Sequence, residues 1–173
     1  FLLFSLFKIP YMKKLLILAL IFCSFCQQET TTTYYLIRHA EKDRTDATNS
    51  NPDLNNFGIA RAKKWASYFK NIPLDAVYST NYKRTQQTAQ PTADDKKLSI
   101  QSYNPRELYA PDFQKATYGK TVLIVGHSNT TPAFVNAILG EKKYEDMSDD
   151  DNGSLYVVTI IGNSKVAKII KVE

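Results

Sequence analysis

Two histidines occur in the chain, and each stands just past a short apolar run. Tyr34 to Ile37 leads into Arg38-His39, and Thr121 to Val125 leads into Gly126-His127-Ser128. Unbroken runs of apolar and β-branched residues read as strands buried on both faces. In open α/β sheets ligand chemistry collects beyond the carboxyl ends of the strands. If these two strands are neighbours, both imidazoles open onto one crevice together with Arg38. Arg84, at the start of a short helical stretch, brings a second guanidinium, and Glu107, in the segment before His127, brings a carboxyl group.

Guanidinium forks match the oxygens of a tetrahedral anion bidentately. Amides at the start of the helix behind Ser128 add donors and a favourable dipole. In such a site a neutral imidazole can act as a nucleophile, because the cations around it oppose its protonation. A carboxylic acid is then needed to protonate the leaving oxygen. Taken singly, Arg84 reads as a surface residue, Glu107 as a loop charge and His127 as a capping group. No third nitrogen, oxygen or sulfur ligand stands at a helpful spacing from the histidines, so the pattern implies no metal and no other cofactor.

The elements that must position these groups follow from hydrophobic patterning. After His39 comes a polar loop, Glu41 to Asn51, whose only apolar residue is Ala47. From Asn56 the pattern becomes helical, with Ile59, Ala62, Ala66 and Phe69 on one face and Asn55 or Asn56 as cap. Asp75 to Ser79 reads as a second strand, Tyr82 to Gln90 as a short helix ended by Pro91, and Leu98 to Ser102 as a third strand. Pro105 and Pro111 keep Asn104 to Tyr118 irregular, without a long helix. Thr121 to Val125 is the strongest strand signal. Behind it a helix is capped by Thr130 or Thr131, has Pro132 in its first turn, buries Phe134, Val135, Ile138 and Leu139, and stops at Gly140. Ser154 to Ile161, the turn Gly162-Asn163 and Val166 to Val172 form a closing hairpin whose lysines suit an edge. The sum is a layered α/β domain: a mostly parallel sheet flanked by helices, with a C-terminal hairpin. The acidic run Glu145 to Gly153 fails the glycine and glutamate spacing of an EF-hand and reads as a solvated turn.

At 173 residues the chain suits one domain. Its formal charge of +5 owes much to Lys8, Lys13 and Lys14; without them 19 basic residues face 17 acidic ones, too mild a balance to imply nucleic acid. Met12, Lys13-Lys14, the apolar stretch Leu15 to Phe22 and Cys23-Ser24-Phe25-Cys26 have the layout of a secretory signal, too short to span a bilayer. Residues 1–11 are then an upstream extension, 12–26 the signal, 27–33 a threonine-rich linker and 34–173 the folded domain. The segment resembles bacterial lipoprotein signals, with Cys26 or Cys23 as the acylated residue. An exported domain, periplasmic or anchored to a membrane by lipid, is the expectation.

The segments Leu36-Ile37-Arg38-His39-Ala40-Glu41, Leu54-Asn55-Asn56-Phe57-Gly58-Ile59-Ala60, Tyr78 to Ala89 (with Arg84-Thr85-Gln86-Gln87-Thr88) and Val125-Gly126-His127-Ser128 together resemble the histidine phosphatase superfamily, also called phosphoglycerate-mutase-like. They occur in the family's order from Tyr34 to about Gly140. The resemblance implies that His39 attacks phosphorus in line and becomes a phosphohistidine. Arg38, Arg84 and His127, with Ser128 beside them, hold the equatorial oxygens, and water releases phosphate. It implies a small phosphorylated substrate and no metal. Glu107 corresponds in order to the family's proton donor, with Glu41 and Asp112 as rivals. One departure is Ala40, where the family commonly has glycine. The compact stretch from Asn104 to Tyr118 lacks room for a large insertion covering the substrate, which favours a small phosphatase over a glycolytic mutase. A phosphohistidine or protein phosphatase is the alternative within the enzyme class, and a non-catalytic phosphate-binding surface lipoprotein the alternative outside it.

Overall fold

The computed structural model describes residues 29–172. The extension 1–11, the signal 12–26 and Cys26 lie outside the described residues. In chain order the elements are β1 (Thr31–Arg38), α1 (Asn56–Phe69), β2 (Ala76–Ser79), α2 (Lys83–Lys96), β3 (Ile100–Ser102), α3 (Pro111–Thr117), β4 (Thr121–Gly126), α4 (Thr130–Leu139), β5 (Ser154–Ile161) and β6 (Ser164–Lys171). They build one six-stranded sheet in the order β3-β2-β4-β1-β5-β6. The first four of these run parallel to one another, β5 is antiparallel to β1 and β6 to β5, the hairpin closing one edge. β1 starts at Thr31, inside the stretch read as linker.

The two apolar runs become the centre of the sheet because parallel strands covered on both faces need side chains that are apolar in both directions. One face packs Leu36, Tyr78 and Ile124 against Phe134, Val135 and Ile138 of α4, with Phe113 of α3 beside them. The other packs Ile37, Val77 and Leu123 against Trp65 and Phe69 of α1 and Ala89 and Ala93 of α2. β1 and β4 pair in parallel with Arg38 opposite Gly126, and the His39 amide continues the ladder, donating to the Gly126 carbonyl at 2.9 Å. The two histidines therefore leave the sheet at the same level.

Three local expectations are corrected. In α1 the buried stripe is Gly58, Ala62, Trp65 and Phe69, not one through Ile59 and Ala66; Ile59 is exposed. The stripe keeps helical spacing but starts one residue earlier, because Gly58 must lie against the loop after His39, where an added Cβ would strike the Glu41 carbonyl oxygen. Helix α2 does not stop at Pro91 but runs on to Lys96 and ends on Lys97 in the left-handed conformation. Burial of Thr92 and Ala93 beyond the proline holds the last turns in place, against a proline cost of about 3 kcal/mol. The segment 104–118 contains α3, two turns that Pro111 opens instead of preventing, since its absent N–H is no loss in a first turn.

Candidate active site

His39 is 4% exposed, and its ring centroid lies 5.4 Å from that of His127. The His39 Nδ1 is 2.7 Å from the Ala40 carbonyl oxygen. A carbonyl can only accept, so Nδ1 carries the proton and Nε2 keeps its lone pair. Burial holds the His39 pKa down at about 3 against the opposing pull of that hydrogen bond, and the charges of His127, Arg38 and Arg84 add to the depression. The ring is therefore neutral at neutral pH, with a defined nucleophilic nitrogen.

The strand end that carries His39 is fixed on every side. The Ala40 amide donates to Thr88 Oγ1 at 2.9 Å, and Asn152 Nδ2 donates to the His39 carbonyl at 2.8 Å. The Ala40 methyl is fully buried against Leu54 and Ala62, so the departure from glycine is accommodated as a small apolar contact.

His127 is held differently. Its Nε2 lies 2.9 Å from Thr80 Oγ1, which is 3.0 Å from Thr85 Oγ1; the Thr85 hydroxyl in turn donates to the Thr80 or Tyr82 carbonyl at 2.9 Å. Followed back from those carbonyls, the chain has Thr85 donating outward, Thr80 donating to Thr85, and His127 Nε2–H donating to Thr80. Burial lowers the His127 pKa to about 4, with Arg84, Arg38 and Lys42 contributing. The Tyr82 ring stands edge-on to His127, at 5.1 Å, and carries the Arg84 guanidinium over its face at 4.5 Å. Gly126 allows this packing, because a Cβ there would meet Tyr103 Oη, Thr130 Oγ1 and Thr131 Oγ1 at 2.8–2.9 Å.

Arg38 is 3% exposed. Its Nη1 donates to the carbonyls of Ser148 and Asp149 at 2.9 Å each, and its Nη2 to the Asp149 carboxylate at 2.9 Å. The Nε atoms of Arg38 and Arg84 are both buried without an acceptor among the described residues. Two orphaned guanidinium donors beside two neutral imidazoles are a cost in an apolar setting and a fit for an oxyanion. A cavity of about 990 Å³ opens at His39, lined among others by Arg38, Lys42, Arg44, Asp149 and Asn152.

The structure thus brings together Arg38, His39, Arg84 and His127. Ser128 follows His127, half-buried, and its carbonyl accepts from the Met147 amide. Of the amides at the start of α4, that of Thr130 is taken by the Asn129 side chain and that of Thr131 by the His127 carbonyl. Glu107 lies exposed in the turn that begins at Asn104, and its carboxylate has no hydrogen-bond or ion-pair partner among the described residues. Glu41 lines the cavity but pairs with Arg61 at 2.7 Å, and Asp112 stands in the first turn of α3. No group of three or more His, Cys, Asp or Glu is placed to hold a metal among the described residues. Sequence reading missed Thr80, Thr88, Asp149 and Asn152; only the two threonines fell within a motif segment, and nothing there distinguished them.

A parallel-centred α/β sheet thus carries paired neutral imidazoles and guanidinium donors beyond its carboxyl ends, an arrangement whose chemistry suits an oxyanion. Residues 34–105 match the family model of the histidine phosphatase superfamily (branch 1). No curated protein matches the sequence. Among solved structures the chain is similar to the protein histidine phosphatase SixA complexed with tungstate (TM-score 0.62, 16% identity, covering 80% of this chain and 95% of that one). It is similar also to a phosphoserine phosphatase mutant from Entamoeba histolytica in complex with phosphoserine (TM-score 0.62, 17% identity, 79% and 95% covered). A third is phosphoglycerate mutase from Bacillus anthracis (TM-score 0.62, 12% identity, 82% and 93% covered). At these identities the likeness is one of fold.

Proposed function

We propose that the protein is a metal-independent phosphatase that hydrolyses small phosphomonoesters through a phosphohistidine on His39. The observation that carries this reading is the fixed tautomer of His39: the Ala40 carbonyl accepts a hydrogen bond from Nδ1–H, which leaves the Nε2 lone pair for phosphorus. In the first step an Nε2–P bond forms while the ester P–O bond breaks, and the leaving oxygen takes a proton from a carboxylic acid, for which Glu107 is the proposed donor. Arg38 and Arg84 hold the equatorial oxygens, where charge is spread in the transition state, and His127 joins them by turning its Nε2–H from Thr80 to a phosphoryl oxygen. In the second step water attacks phosphorus, the N–P bond breaks, and the water proton returns to the same carboxylate, leaving inorganic phosphate and neutral His39.

Brief reaction with a ³²P-labelled ester, followed by quenching and peptide mapping, tests the scheme. The expected result is an acid-labile, alkali-stable adduct on His39, absent from His39→Ala, with turnover in that variant lower by at least about 10³-fold. Turnover without a trapped adduct in the wild type, or undiminished in His39→Ala, would sink it.

A further inference from the structure

Arg38 meets its neighbours along two different edges. Its Nη1 is tied to backbone carbonyls, contacts that no ligand needs to break. Its other edge, Nε with Nη2, is the side on which a guanidinium takes an oxyanion bidentately. That edge is half used: Nη2 holds one oxygen of Asp149, while Nε is buried with no acceptor among the described residues. The same carboxylate also binds Arg44 Nη2 at 2.8 Å, so Asp149 bridges a buried arginine and one whose side chain is 55% exposed. The Asp149 side chain is itself 73% exposed. The loop bearing it is anchored on both sides: the Met147 amide donates to the Ser128 carbonyl, and Asn152 Nδ2 donates to the His39 carbonyl.

We infer that the Asp149 carboxylate occupies an oxyanion position shared by Arg38 and Arg44, and that the phosphoryl group of the substrate displaces it, which makes Arg44 a further phosphate-binding residue. The inference rests on the proposed function and adds to it a residue the family motifs do not include. A phosphoryl oxygen pair satisfies both Nε and Nη2 of Arg38, which one carboxylate oxygen does not. The displaced carboxylate returns to solvent, in which it is already largely immersed, and an exposed ion pair is a modest competitor.

The test is calorimetric titration of the full chain with inorganic phosphate at constant ionic strength. Asp149→Asn is expected to tighten binding about fivefold, the scale of one exposed ion pair. Asp150→Asn, which removes an equal charge from the same cavity wall, is expected to leave it within about twofold, since that carboxylate touches Ser148 and not an arginine. Arg44→Gln, added to Asp149→Asn, is expected to undo the gain. Unchanged or weaker binding in Asp149→Asn, an equal gain in Asp150→Asn, or no loss on adding Arg44→Gln overturns the inference. So does a chain that binds no phosphate in any of these forms. Because binding is read without turnover, a chain that follows this order but forms no phosphoenzyme refutes the hydrolytic scheme and leaves the arginine pair standing.

Discussion

The two central strand ends carry the same residue and treat it differently. At the end of β1, His39 is fixed by a backbone carbonyl, which cannot donate and so allows one tautomer. At the end of β4, His127 is fixed by the Thr80 hydroxyl, whose own proton goes to Thr85 and which therefore accepts from Nε2–H. Both rings are buried enough to be neutral, yet Nε2 of His39 keeps a lone pair while Nε2 of His127 carries the proton. The difference matches the proposed division of labour. A nucleophile must present a lone pair, whereas a group that supports charge developing on oxygen must present an N–H.

The largest expected effect breaks the second end. His127→Ala is expected to lower kcat by about 10²–10³-fold through loss of charge stabilisation, while a phosphoenzyme on His39 still forms in the slow steps that remain. Steady-state rates beside the trapped adduct check this, and loss of the adduct together with retained fast turnover would exchange the roles of the two rings.

The next prediction sharpens what the ends share. Folded imidazoles titrating near 3 and 4 bind fewer protons than unfolded ones titrating near 6.5, so the unfolded state gains protons through that window. Stability is therefore complete above about pH 6.5 and falls as pH is lowered towards 4, by up to about 1.4 kcal/mol per pH unit for each ring. Urea midpoints at pH 7 and pH 5 measure the slope, and His39→Gln is expected to flatten it by about half. A slope unchanged in that variant would mean His39 is not held neutral by the fold.

The smallest effect addresses the hydroxyl chain. Thr80→Val is expected to lower kcat about tenfold, the scale seen when an outer group that orients a ring is lost, with KM little changed and Thr80→Ser restoring the rate. Nitrogen chemical shifts of the His127 ring should show a mixed tautomer in Thr80→Val alone. A normal rate with a single tautomer would reduce Thr80 to packing.

Much of this arrangement was legible because it depends on spacing. Apolar runs that end in Arg38-His39 and Gly126-His127 place the residues without knowledge of the packing, and Arg84 follows from its position at the start of a helix. What was not legible depends on close approach. The stripe of α1 is set by Gly58 meeting Glu41, a contact between chain segments that periodicity cannot see, and so periodicity points to Ile59 and Ala66 where the fold buries Gly58 and Trp65. Pro91 reads as a stop because its local cost is visible and the tertiary burial of Thr92 and Ala93 is not. Asp149 sits in a run of acids whose composition describes a solvated turn; that one of them reaches a buried arginine 111 positions earlier is a fact of the fold.

The parallel pairing of β1 with β4 has a further consequence. His39 and His127 are 88 positions apart and meet only when those strands are in register, so a chain in which β1 and β4 are unpaired cannot offer both rings to one ligand. Occupancy of the crevice is thus tied to that pairing, and an oxyanion bound there as proposed would draw the folding equilibrium towards the paired strands by mass action.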